Sequence, residues 1–190
     1  MPGTPSTVIP PVQRSVSVSW APDAAFRRFT AEFAAWWPRA THSIGGKAVA
    51  RIVFECRVGG QIVEELRDGR CFLWGTITAF EPPTRLAFTW HPSLGADTAQ
   101  DVEIRFVPEG RGTRVELTST GWERLGAKAR TMRRGYDVGW GSVLDAYAGR
   151  WTPVIPLFRV LSGVQRGWLR LTGRLEREIN ASGGRLPDRR

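Results

Sequence analysis

Between residues 12 and 20, Val12, Val16, Val18 and Trp20 are apolar, while Gln13, Ser15, Ser17 and Ser19 are polar. A period of two marks a half-buried strand. The period then lengthens. Ala21-Pro22-Asp23 opens a helix, because proline is tolerated in a first helical turn and an acidic side chain favours it. Phe26, Phe29, Phe33, Trp36 and Trp37 follow at helical intervals until Pro38 ends the run, which predicts two short helices. From residue 48 to 119 alternation returns. Ile52, Phe54 and Cys56, then Leu86, Phe88 and Trp90, then Val102, Ile104 and Phe106, then Val115 and Leu117 each line one face. Gly59-Gly60, Glu81-Pro82-Pro83 and residues 108–113 supply turns. Asp68-Gly69, between apolar runs at 61–67 and 70–80, predicts a two-residue type I′ hairpin. Six successive strands with short connections form an antiparallel meander, which buries one face only. Residues 129–151 supply the cover, with Tyr136, Trp140, Val143, Leu144 and Tyr147 at intervals of three and four. The sum is an α+β domain in which a curved seven-stranded antiparallel sheet grips a long helix.

The chain of 190 residues suffices for one domain. Residues 1–12 read as a flexible lead-in and 13–151 as the domain. Pro153 and Pro156 set apart a further helix within 152–180, and 181–190 read as a disordered tail. In that helix Leu157, Leu161, Val164, Trp168, Leu171, Leu175 and Ile179 form an apolar stripe. Arg159, Arg166, Arg170, Arg174 and Arg177 lie largely off it. Such a basic amphipathic helix over 157–179 suits docking on its own domain, a homodimer contact or an anionic membrane surface.

Composition sharpens this picture in three ways. Hydrophobic residues at 42% and charged residues at 24% exclude general disorder. Nine Trp and nine Phe against two Tyr are more bulky apolar surface than one small core needs, and suggest large side chains lining something. The net charge of +9 is carried almost wholly by arginine, whose forked guanidinium pairs readily with carboxylates. Basic residues such as Arg124, Lys128, Arg130, Arg133 and Arg134 are mixed with acids elsewhere and follow no reading motif, which disfavours nucleic acid. Cys56 and Cys71 form no framework and read as reduced thiols of a cytoplasmic protein, and no secretory leader or membrane-length apolar run is evident.

Local motifs fall in a telling order. Ala21-Pro22-Asp23 opens the first helix, and Trp36-Trp37-Pro38 closes the second. Gly75-Thr76-Ile77 leads to Glu81-Pro82-Pro83. Arg85-Leu86-Ala87-Phe88-Thr89-Trp90, Gly112-Thr113-Arg114-Val115 and Gly139-Trp140 complete the set. Over about residues 13–150 this order resembles the START-like (SRPBCC) superfamily. Within it, the nearest likeness is to the bacterial single-domain form of the heat-shock-protein-90 ATPase activator homologue family. The resemblance implies a helix-grip fold enclosing a cavity that takes lipids, sterols, polyketides or other apolar molecules, sometimes with catalysis. It gives little ground for chaperone activation, which in the eukaryotic activator belongs to a separate N-terminal domain. Residues 151–190 depart from the family pattern.

Trp37, Phe54, Trp74, Trp90, Trp122, Tyr136 and Trp140 fall on elements bordering the space between sheet and helix, and are the expected ligand-binding residues. Ordinary core packing is the competing reading of each. Glu64 and Glu65 are adjacent on a strand, so they point to opposite faces. One of them should be solvated, and the other should meet an arginine such as Arg105 or become a buried acid. An enzymatic alternative, a polyketide cyclase or isomerase, would use Glu65, Glu55 or His91. His42 and His91 read as loop histidines. His91, Ser93, Asp97 and Asp101 lack the nucleophile elbow of a triad. Gly110 and Gly112 belong to a hairpin, and the glycines at 135–141 have no strand before them, so no phosphate loop exists. No metal or cofactor is expected. The reading is a binding domain for a small apolar or amphipathic molecule, with the enzyme and a chaperone-associated interaction module as alternatives.

Overall fold

The computed structural model of the chain describes residues 9–92 and 94–150. The expected helix within 152–180, the tail, most of the lead-in and Ser93 lie outside the described residues. The strands are β1 (Val12–Val18), β2 (Val49–Phe54), β3 (Gln61–Leu66), β4 (Cys71–Glu81), β5 (Arg85–Trp90), β6 (Gln100–Glu109) and β7 (Gly112–Thr120). The helices are α1 (Pro22–Phe29), α2 (Phe33–Trp36), α3 (Arg39–His42) and α4 (Ala129–Tyr147). One antiparallel sheet runs β1-β7-β6-β5-β4-β3-β2, a meander whose last strand takes the first as its neighbour. It curls around the long helix in the expected helix-grip arrangement.

Three local expectations are corrected. Pro38 does not end helical structure, because its carbonyl accepts the N–H groups of Thr41 and His42 at 3.1 and 2.9 Å and so opens the extra turn α3. The Asp68-Gly69 hairpin is not a two-residue type I′ loop. Gly69 N–H closes on Leu66 O at 3.0 Å, Leu66 N–H bonds Arg70 O, and Gly69 takes the positive φ of 86°. This is a three-residue connection. The long helix stops at Tyr147 rather than 151. Gly149 at φ 72° lets its N–H reach Ala146 O and lets the N–H of Arg150 reach Asp145 O, a Schellman ending.

On β5, β6 and β7 the inner face carries the period of two. Val102, Ile104 and Phe106 on β6 and Val115 and Leu117 on β7 are all buried. Each such side chain contributes about 1.5–3 kcal/mol by leaving water. At one end the helices cap this face with a close-packed cluster. Phe29 touches Phe33, Trp36, Phe106 and Tyr147 at ring separations of 5.1–6.5 Å, and the Tyr147 hydroxyl donates to Ala25 O at 2.8 Å. Cys56 and Cys71 are free thiols. Among the described residues no helix is long and apolar enough to cross a membrane.

One irregularity of the sheet bears on the site. Between β3 and β4, Ile62 pairs with Gly75 but Val63 pairs with Leu73, leaving Trp74 as the extra residue of a bulge. Bulges re-aim a side chain, and Trp74 ends with no exposed surface. Gly75 permits the close approach behind it, since a Cβ there would collide with Thr89 O. Gly75→Ala should therefore destabilise the domain by about 2–3 kcal/mol in urea unfolding. Gly141→Ala in α4, where a Cβ meets nothing nearer than 3.8 Å, should stabilise it by about 0.5–1 kcal/mol. Equal signs for the two changes would contradict this account of the bulge.

Candidate functional site

Beyond the phenylalanine cluster the interior changes character. Trp37, at the end of α2, stacks on Phe33 at 4.9 Å and touches Trp74 at 5.2 Å and Trp90 at 5.7 Å. Trp90 also meets Trp74 at 5.4 Å, Phe88 at 5.8 Å and Trp140 of α4 at 5.3 Å. Four indoles from four elements thus meet around Trp90, all of them buried.

Their polar atoms distinguish them from ordinary packing. An indole N–H only donates, and buried donors are normally paired. Elsewhere the fold meets this demand: Trp36 donates to Arg28 O at 2.7 Å and Trp122 to Ser119 O at 2.9 Å. Trp90 bonds the hydroxyl of Tyr136, whose phenol burial pushes well above its ordinary range. The N–H groups of Trp37, Trp74 and Trp140 have no acceptor among the described residues, and neither do the hydroxyls of Ser43 and Ser142. Each buried polar group left so costs about 1–3 kcal/mol.

The wall beside Trp37 is built by α3 and the loop after it. The inward acid of β3 is Glu64, fully buried in step with Ile62 and Leu66. Its carboxylate accepts the N–H groups of Ile44 at 3.0 Å and Gly45 at 2.5 Å. This bond pair pins the loop to the sheet. Gly45 allows it, because a Cβ would collide with Leu66. The pinned loop holds His42 edge-on to Trp37 at 6.1 Å, with Nδ1 2.8 Å from the Thr41 hydroxyl. Burial lowers the His42 imidazole to about 4, against a hydrogen bond with the Gly139 backbone that works in the opposite direction.

The structure brings together Trp37, Trp74, Trp90, Trp140 and Tyr136, and places Trp122 beside Tyr136 at 5.2 Å. Phe54 stands at the edge, against Phe33 at 5.1 Å. The candidate acids lie elsewhere. Glu65 is on the outward side of β3 in a two-pronged pair with Arg51 at 2.6 and 2.8 Å. Glu55 accepts Gln61 N–H and pairs with Arg57 at a surface turn. Arg105 serves Glu103 instead. His91 is buried, with Nδ1 3.3 Å from Leu94 O in its own turn. Among the described residues no group of three or more His, Cys, Asp or Glu is placed to hold a metal.

Sequence reasoning read His42 as a loop histidine, left open which of Glu64 and Glu65 turns inward, and passed over Gln100 and Ser119. For the last two a signal existed. Extending the inward alternation of Val102–Phe106 and Val115–Leu117 by two residues reaches Gln100 and Ser119, both fully buried. His42 depended on the turn after Pro38, which periodicity does not register.

Comparison with known proteins fits this geometry. Residues 20–149 match the family described as Activator of Hsp90 ATPase homolog 1-like protein. An anthrahydroquino-γ-pyrone synthase, Txn09, solved in complex with a compound designated SUM, is 36% identical with a TM-score of 0.54. The match covers 75% of this chain and 97% of that one. BH1534 of Bacillus halodurans gives a TM-score of 0.55 at 18% identity, over 77% of this chain and 99% of that one. CalU16 of Micromonospora echinospora gives 0.50 at 22% over 83% of each. At those two identities the likeness is one of fold. None of the curated proteins compared with the chain is significantly similar to it.

A histidine held below its ordinary value of 6.5 makes stability depend on pH. Between about 6.5 and 4 the unfolded chain binds a proton that the fold refuses. The contribution is intact above 6.5 and is lost as pH falls toward 4. The His42 ring should titrate near 4 by NMR, and His42→Gln should flatten the loss of stability across that window. A His42 midpoint near 6.5 would refute its burial at the site.

Proposed function

The chain belongs to the Activator of Hsp90 ATPase homolog 1-like family, and from that membership we propose that the domain binds a planar, largely apolar molecule bearing carbonyl oxygen, held between the sheet and α4. The observation that carries this reading is the set of three buried indole N–H groups without acceptors among the described residues, on Trp37, Trp74 and Trp140. A guest oxygen would complete them, and the indole faces suit an aromatic ring through offset or edge contacts. Burial of guest carbon supplies about 25 cal/mol per Å². The 36% identity with a protein described as a γ-pyrone synthase supports the same ligand chemistry.

A second reading, an enzyme that moves a proton on such a molecule, is favoured by His42. It is uncharged at neutral pH, stands against Trp37 and has its Nδ1 engaged by Thr41. Its sign would be consumption of a bound compound that His42→Gln stops without weakening binding. Glu55 and Glu65 support this reading less than His42 does, since both are held in ion pairs toward solvent. The chaperone-associated reading rests on the family's name and on no residue of this chain.

The binding reading is tested with chromone, a bicyclic γ-pyrone, and naphthalene, a bicycle without an acceptor, by quenching of tryptophan fluorescence. Chromone should bind more tightly, and Trp140→Phe should weaken chromone about tenfold while leaving naphthalene within about twofold. Equal binding of the two probes, or equal loss of both in the variant, would overturn it.

A further inference from the structure

We infer that Gln100 and Ser119 form a second polar pole of the same site, one that receives a hydroxyl of the guest, so that the domain selects hydroxylated aromatic ketones over their methyl ethers. This rests on the binding reading above and adds the substituent pattern of the ligand.

The argument starts from the alternation of β6 and β7. Gln100 shares its face with Val102, Ile104 and Phe106, and Ser119 shares its face with Val115 and Leu117, so both enter an otherwise apolar surface. Gln100 is the cross-strand partner of Trp90, and Ser119 that of Val102. Cross-strand partners stand on the same side of a sheet. The two polar side chains therefore continue the inner surface from Trp90, on the side away from Trp74.

Their orientation is fixed by what they already bond. Gln100 Nε2 donates to Thr98 O at 2.6 Å, which sets the amide so that Oε1 is the atom left without a partner. The carbonyl of Ser119 accepts the Trp122 indole at 2.9 Å, while its hydroxyl has no partner among the described residues. Both residues have no exposed surface. A carbonyl oxygen only accepts, and a hydroxyl both accepts and donates. Beside Trp90 the site thus offers acceptors on β6 and β7 and bare N–H donors on Trp37, Trp74 and Trp140. A molecule lying against Trp90 meets both sets when it carries a carbonyl at one side and a hydroxyl at the other. A methyl ether at the second position presents no donor and leaves Gln100 Oε1 buried and unmatched, a mismatch to which buried polar sites respond strongly.

The test compares chromone, 7-hydroxychromone and 7-methoxychromone on the full chain by fluorescence quenching. The natural protein should bind 7-hydroxychromone about tenfold more tightly than 7-methoxychromone. Gln100→Met and Ser119→Ala should each reduce that ratio to within about threefold, with chromone affinity held within about twofold. Ser119→Ala removes only a hydroxyl and keeps the test clear of folding, which urea unfolding verifies. A ratio near one in the natural protein, or a ratio that survives both substitutions, overturns the second pole while leaving chromone binding in place. Absence of chromone binding overturns the binding reading itself, and this inference with it.

Discussion

A buried indole N–H has no way to avoid its chemistry: it donates or it is a penalty. This constraint separates the two halves of the interior. Around Phe29 the aromatic rings pack on one another, the Tyr147 hydroxyl donates to Ala25 O, and the core closes. Around Trp90 the rings touch just as closely, at 5.3–5.8 Å, yet three of the indoles find no acceptor among the described residues. A solid core built by the same chain would be expected to treat those donors as it treats Trp36 and Trp122, each given a backbone carbonyl. The imbalance is concentrated where the sheet, α2 and α4 meet.

Local devices hold that imbalance in place. The bulge between β3 and β4 aims Trp74 inward, and Gly75 makes room for the backbone behind it. Glu64 spends its carboxylate on the amides of Ile44 and Gly45, so the one fully buried acid among the described residues braces the loop beside His42. Surface arginines pair with Glu55, Glu65 and Glu103 and keep those carboxylates out of the interior. Apart from the Glu64 carboxylate, which is engaged by the loop amides, the inner face offers neutral donors, neutral acceptors and an imidazole held uncharged.

Much of the fold was legible because β5, β6 and β7 place Leu86, Phe88 and Trp90, Val102, Ile104 and Phe106, and Val115 and Leu117 on the inner face at a period of two, and because α4 repeats Trp140, Val143, Leu144 and Tyr147 at helical spacing. That Trp74, Trp90 and Trp140 meet inside was legible for the same reason. What escaped was whatever depends on one backbone turn. Pro38 looked like a terminator but seeds α3 through its carbonyl, and so places His42. The choice between Glu64 and Glu65 depended on the register of β3, which adjacency alone leaves open. Gln100 and Ser119 escaped because a polar residue at the end of an apolar run reads as the start of a loop, although both remain inside. The polar pattern of the site is written in the exceptions to the hydrophobic pattern.

The most direct measurement follows the indole ¹H–¹⁵N resonances, one for each tryptophan, as chromone is added. The account predicts that the Nε1–H signals of Trp37, Trp74 and Trp140 move downfield as they gain an acceptor, while those of Trp36 and Trp122, already bonded to Arg28 and Ser119, stay in place. Saturating chromone that leaves the three signals unmoved, or shifts all five alike, would show that the unmatched donors do not mark a binding site.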